Sequence, residues 1–139
     1  MKLTALLTAF LLVMVPFSAV KAQSVDDADA IRGVIEGQIE AMGADDWDKA
    51  FSYASPMIQG IFRSPHNFSE MVTTGYPMVW RHKRFETGAL SQTPKGLNQT
   101  MFFEDQKGRL YIADYLMAKI DGIWRINGVQ IRPAPAESA

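Results

Sequence analysis

The chain has 139 residues, 47% hydrophobic and 21% charged, with a formal net charge of −1 and no cysteine. These values fit one ordinary globular domain. They exclude a disulfide scaffold, a thiol nucleophile and a zinc–thiolate site, and the charge is too small for nucleic acid or an anionic membrane surface.

The N-terminus reads as an export signal. Lys2 gives a positive start, residues 3–15 form an apolar stretch, Pro16 breaks it, and Val20-Lys21-Ala22 fits a small-x-small cleavage site. The stretch is shorter than the ~20 residues of a membrane span, so an uncleaved anchor is the less favoured alternative. Cleavage would give residues 1–22 as signal peptide and Gln23 as the first mature residue. Lys2 and Lys21 leave with it, so twelve bases face fifteen acids and the mature charge is −3. The expected location is the periplasm or the exterior of a bacterium, with no stable membrane anchor after cleavage.

Next comes an amphipathic helix. Ser24 with Asp27 resembles an N-cap with an acid in the first turn. Ile31, Val34, Ile35, Gln38, Ile39 and Met42 recur at helical spacing, and Arg32 and Glu36 form an i, i+4 pair on the wet side. Gly33 and Gly37 imply close approach of another element, or a cavity floor. Gly43 ends the helix.

Asp45 is expected to cap a second, shorter helix burying Trp47, Ala50, Phe51 and Ala54. Ser55-Pro56 and Ser64-Pro65 each read as an N-cap followed by proline in the first turn. They place short helices over 57–62 and 65–74, the latter burying Phe68, Met71 and Val72 and closing at Gly75.

From Val79 and Trp80 onward the chain becomes strand-rich. Strands are expected over 85–92 and 97–104, with turns at 93–96 and 105–108. Residues 109–132 form a long hairpin turning at Asp121-Gly122. In its first strand Leu110, Ile112, Leu116, Ala118 and Ile120 alternate and are expected to face the core. In its second, Trp124 and Ile126 fall out of phase with Val129 and Ile131, which calls for an extra residue, a β-bulge, at Asn127-Gly128. Residues 133–139 read as a disordered Pro/Ala-rich tail. Helices first and an antiparallel meander second make an α+β fold, a single domain over 23–132 with helices on one face of a curved sheet of about four strands.

That architecture, with Asp121-Gly122-Ile123-Trp124-Arg125-Ile126 at its end, resembles the NTF2-like superfamily of cone-shaped α+β domains. Residues 31–132 more closely resemble an exported bacterial family labelled only domain of unknown function 4864. Ser64-Pro65-His66-Asn67-Phe68, Gly75-Tyr76-Pro77-Met78-Val79-Trp80-Arg81 and Trp124-Arg125-Ile126-Asn127-Gly128-Val129 carry that likeness. NTF2-like scaffolds host isomerases, dehydratases and plain binding modules, so fold alone names no activity.

No phosphate loop, nucleophile elbow or paired-histidine metal motif is present, and neither a cofactor nor a metal is expected. Alternation puts Asp114 on the apolar face, where desolvation would raise its pKa unless the carboxylate is hydrogen-bonded or paired. The resemblance implies a general-base role there, as in an isomerase or dehydratase. An outward turn or an ion pair with Arg81 or Arg84 is the structural alternative. His82 is a weaker candidate base, with no orienting carboxylate predicted beside it, and His66 is a surface residue. Gln38 and Gln99 are polar groups on apolar faces and must meet partners or ligand. With Tyr76, Trp80 and Tyr115 they are the candidate ligand-binding set. The expectation is a module holding a small apolar ligand or a partner of the envelope, with a homodimer through the outer sheet face as a further possibility.

Overall fold

The computed structural model describes residues 19–136. Its C-terminal hairpin pairs β3 (Leu110–Ile120) with β4 (Ile123–Pro133). Asp121 and Gly122 both have positive φ, 50° and 77°, the type I′ geometry whose twist matches a β-ribbon. Across the hairpin Met117 faces Ile126, but Leu116 faces Gly128. Asn127 is therefore the extra residue that brings Ile126, Val129 and Ile131 onto one side, as the out-of-phase pattern requires.

β2 (Gly96–Glu104) pairs with β3, and β1 (Arg84–Thr93) pairs with β2. The sheet is an antiparallel meander in the order β1-β2-β3-β4. A second register shift lies between Thr87 and Leu90. Both edge strands thus carry a bulge, which bends and twists a strand.

The helices precede the sheet and pack on one of its faces: α1 (Ala19–Gly43), α2 (Trp47–Ser52), α3 (Pro56–Phe62), α4 (Pro65–Gly75) and α5 (Pro77–Trp80). Ile31, Ile35, Gln38, Ile39 and Met42 of α1 are buried as their spacing dictates. The ring of Tyr53 sits where a side chain on Gly37 would point, so this glycine serves close packing. Ser55 and Ser64 accept the N–H groups of Ile58 and Asn67 and cap α3 and α4.

Several expectations are corrected. Ser24 lies within α1 rather than at its start. The cap of α2 is Asp46, which accepts from Lys49 N; Asp45 has φ 58° and turns toward α5. Arg32 reaches Asp29, at 3.9 Å, rather than Glu36. Val79 and Trp80 close the short helix α5 rather than open a strand, because Pro77 presets helical φ. The expected tail starts inside the sheet, with Pro133 ending β4 and Ala134 N–H donating to Leu110 O. Most of the predicted signal peptide, residues 1–18, lies outside the described residues, as do 137–139.

The largest correction concerns the face of β3. Ala113, Tyr115 and Met117 are buried, whereas Leu110 is exposed and Ile112, Leu116, Ala118 and Ile120 are half-buried on the outer side. Residues directly opposite one another on paired strands share a face. Gln99 faces Tyr115 and Met101 faces Ala113, and the inner side of β2 is unambiguous: Gln99, Met101 and Phe103 are buried, Phe102 exposed. β3 is apolar on both sides, so only its neighbour decides which side meets the helices.

Candidate functional site

Between the helices and the inner sheet face lies a cavity of about 310 Å³. Gln38 and Met42 of α1, Ile58 and Phe62 of α3, and Phe68, Met71 and Val72 of α4 form one wall. Tyr115 of β3 and Ile126, Val129 and Ile131 of β4 form the other, and Tyr76 and Val79 also line it. Ile58, Phe62, Met71, Val129 and Ile131 are only half-buried and form its rim. None of the lining residues is charged. The volume falls at the lower end of the range of small-molecule sites.

The bulge builds this wall. Ser55 and Ala54 run alongside β4 there, through Ser55 N–H to Ile126 O at 2.8 Å and Ile126 N–H to Tyr53 O at 2.9 Å. Ser55 is fully buried; its hydroxyl donates to Asn127 Oδ1 at 2.7 Å. One serine thus caps α3 and fastens it to the bulge, holding Ile58 and Phe62 over the cavity.

Of the five ligand-binding candidates, Gln38, Tyr76 and Tyr115 meet around the cavity. Gln38 donates through Nε2 to Ala50 O at 3.1 Å. Tyr115 is 1% exposed, and burial pushes its phenol well above the ordinary tyrosine range. It stays a neutral hydroxyl.

Trp80 and Gln99 are placed elsewhere. Trp80 donates to Asp45 Oδ1 at 2.9 Å, and Arg81 stacks on its ring at 4.0 Å while forking onto the same carboxylate. The Trp80 hydrogen bond, ahead of Arg81, holds the Asp45 carboxyl below its usual pKa. Gln99 directs its Nε2 to the carbonyls of Gly88, Ala89 and Thr100, at 2.9, 3.3 and 3.0 Å. Gly88 and Ala89 lie in the β1 bulge, and Thr100 lies opposite them on β2.

Neither candidate base reaches the cavity. Asp114 is on the outer face, in an ion pair with Arg132 and accepting from Asn98 and Thr100, both at 3.2 Å. Partial burial pushes its carboxyl upward, but the hydrogen bonds from Arg132, Asn98 and Thr100 and the Arg132 charge outweigh this, leaving the pKa lowered. Pairing and hydrogen bonding thus override desolvation, as in the structural alternative, though with Arg132 as the partner, and such a carboxylate is a poor proton acceptor. His82 donates through Nδ1 to Val79 O at 2.8 Å, and its ring stands edge-on to Phe85, at 5.2 Å between centroids. His66 is exposed beside Glu70. Near His82, Lys83 and Arg84 are both ion-paired with Glu104.

Sequence reasoning missed the rim of α3 and the fastening of Asn127 by Ser55; the Ser-Pro signature shows a cap but not its distant partner. It also missed the partners of Asp27, which accepts from Trp124 Nε1 at 3.0 Å and Lys119 Nζ at 3.1 Å and ties α1 to the hairpin tip.

Among the described residues no helix is long and apolar enough to cross a membrane, and no cluster of three or more His, Cys, Asp or Glu could hold a metal. No curated protein matches the chain, and no solved structure does. A family profile matches residues 24–139, and the chain belongs to the family described as domain of unknown function (DUF4864).

Proposed function

We propose that the protein is an exported binding module of the NTF2-like type that holds a small apolar ligand between α1 and the sheet. The observation that carries this is the uncharged, apolar cavity of about 310 Å³, lined from both layers and bordered by half-buried side chains. A well-packed interior leaves few voids larger than a water molecule, so a space of this size suits an occupant. The export reading rests on the N-terminal segment of the sequence.

Binding is tested with the neutral apolar dye N-phenyl-1-naphthylamine. Saturable fluorescence that Val129→Trp abolishes, in a protein that still folds, is the expected result. Binding indifferent to that substitution, or none, rejects the cavity as a ligand site. Mass spectrometry of the exported protein should find Gln23 at its N-terminus; a retained residue 1–22 segment rejects cleavage there.

A partner on the outer sheet face is the second reading. Phe102, Leu110 and Ile123 are 42%, 52% and 52% exposed, and half-buried Ile112 and Leu116 lie on the same side. Such a patch commonly marks an interface. Light scattering should show a dimer that Leu110→Asp dissociates; a monomer at all concentrations removes the homodimer.

A further inference from the structure

From the two polar groups in the cavity wall we infer the class of ligand: an uncharged, mainly apolar molecule carrying a hydroxyl, anchored by Tyr115 and Gln38. This rests on the cavity-binding proposal above and specifies it.

Both groups are nine-tenths or more buried, Tyr115 at 1% exposure and Gln38 at 4%. Among the described residues the Tyr115 hydroxyl makes no hydrogen bond, and Gln38 makes one, through Nε2. Because Ala50 O can only accept, Nε2 is the donor and Oε1 is left with no donor. Yet no fully enclosed side-chain nitrogen or oxygen among the described residues lacks a partner. The phenol oxygen and Oε1 therefore keep accessible surface. In residues so deeply buried, both lining the cavity, that surface is cavity wall.

An orphaned polar atom in an apolar wall is costly unless a ligand or water satisfies it. The two atoms ask for complementary things. The phenol, held neutral by burial, offers a proton; Oε1 offers a lone pair. A hydroxyl accepts from the first and donates to the second. An ionised carboxylate or an ammonium would enter a wall without a counter-charge and pay its full desolvation. Charge in the lining decides the class as much as the anchors do.

Three probes of equal chain length separate the possibilities: 1-decanol, decane, and decanoate at mildly alkaline pH, each titrated into the protein against the same neutral dye. Decanol is expected to bind, decanoate to bind least, and Tyr115→Phe to weaken decanol about tenfold while leaving decane unchanged, the size of one good hydrogen bond. Because that hydroxyl has no partner among the described residues, Tyr115→Phe should unfold at the same denaturant concentration as the parent. Should it fail to fold, Gln38→Met must weaken decanol relative to decane in the same way. Decanol and decane equally indifferent to the anchor substitution would overturn the ligand class and leave the cavity-binding proposal standing. Tightest binding by decanoate would overturn the uncharged class. Displacement by none of the three, with no dye binding either, would end both.

Discussion

The hydroxyl of Ser55 donates to Asn127 Oδ1 across 72 residues of sequence, and it accepts the N–H of Ile58 at the start of α3. This one oxygen joins the cap of a helix to the bulge of a strand, so the α3 rim of the cavity and its β4 wall move together.

Ser55→Ala removes a cap and a buried hydrogen bond at once. Loss of roughly 1–3 kcal/mol of unfolding free energy is expected, together with weaker dye binding as Ile58 and Phe62 lose their seat. Urea denaturation and dye titration check it; an unchanged midpoint would show that the bulge holds without the serine.

Gly33 and Gly37, one turn apart on α1, should respond with opposite signs. A side chain at Gly33 meets nothing within 4 Å, so Gly33→Ala should stabilise by about 1 kcal/mol through helix propensity. At Gly37 a Cβ would come within 2.5 Å of the Tyr53 hydroxyl and 2.8 Å of its ring. Overpacking there should cost about 1–3 kcal/mol, exceeding the propensity gain. Thermal or urea unfolding of the two variants gives the answer; equal signs would refute the packing of Tyr53 on α1.

Gln99→Leu keeps the volume but strips the donors from three carbonyls. A loss of about 1–3 kcal/mol is expected, with faster amide exchange around Gly88 and Ala89. A neutral result would mean that solvent satisfies the bulge.

Asp27 provides the pH dependence. The Trp124 hydrogen bond, followed by the Lys119 contact, lowers its pKa from the model-peptide value of 3.8. A carboxylate whose pKa is depressed on folding contributes stability above its unfolded pKa and loses it as the pH falls through the folded value. Acidification below about pH 4 should therefore loosen the hairpin tip, read as a change in Trp124 fluorescence that Asp27→Asn removes. Asp114 titrates in the same window with the same sign, but its pair faces outward. Asp114→Asn should cost no more than about 1 kcal/mol and leave dye binding intact; loss of binding would reopen a role for this carboxylate at the cavity.

The local chemistry was legible in the chain. Spacing of Ile31, Ile35 and Met42 gave the buried side of α1, and the Ser-Pro pairs gave two caps. Asp121-Gly122 gave the turn, and the phase break before Val129 gave the bulge. Each depends on neighbours within a few positions, where backbone sterics and side-chain period act directly. Gln38 was found because a polar group on an apolar side must be satisfied somewhere, and Tyr115 as one of the strand aromatics that could line a pocket.

What only the tertiary structure decided were the matters that compare distant segments. β3 offers apolar residues on both sides, and its pairing with β2 chose between them. That choice sent Asp114 out to Arg132 and brought Tyr115 in. The same distant pairings gave Gln99 and Trp80 protein partners instead of a ligand, and gave Ser55 its partner in Asn127. Short-range periodicity is set along the chain, but which face is covered depends on what folds over it, and that is fixed only when the layers close.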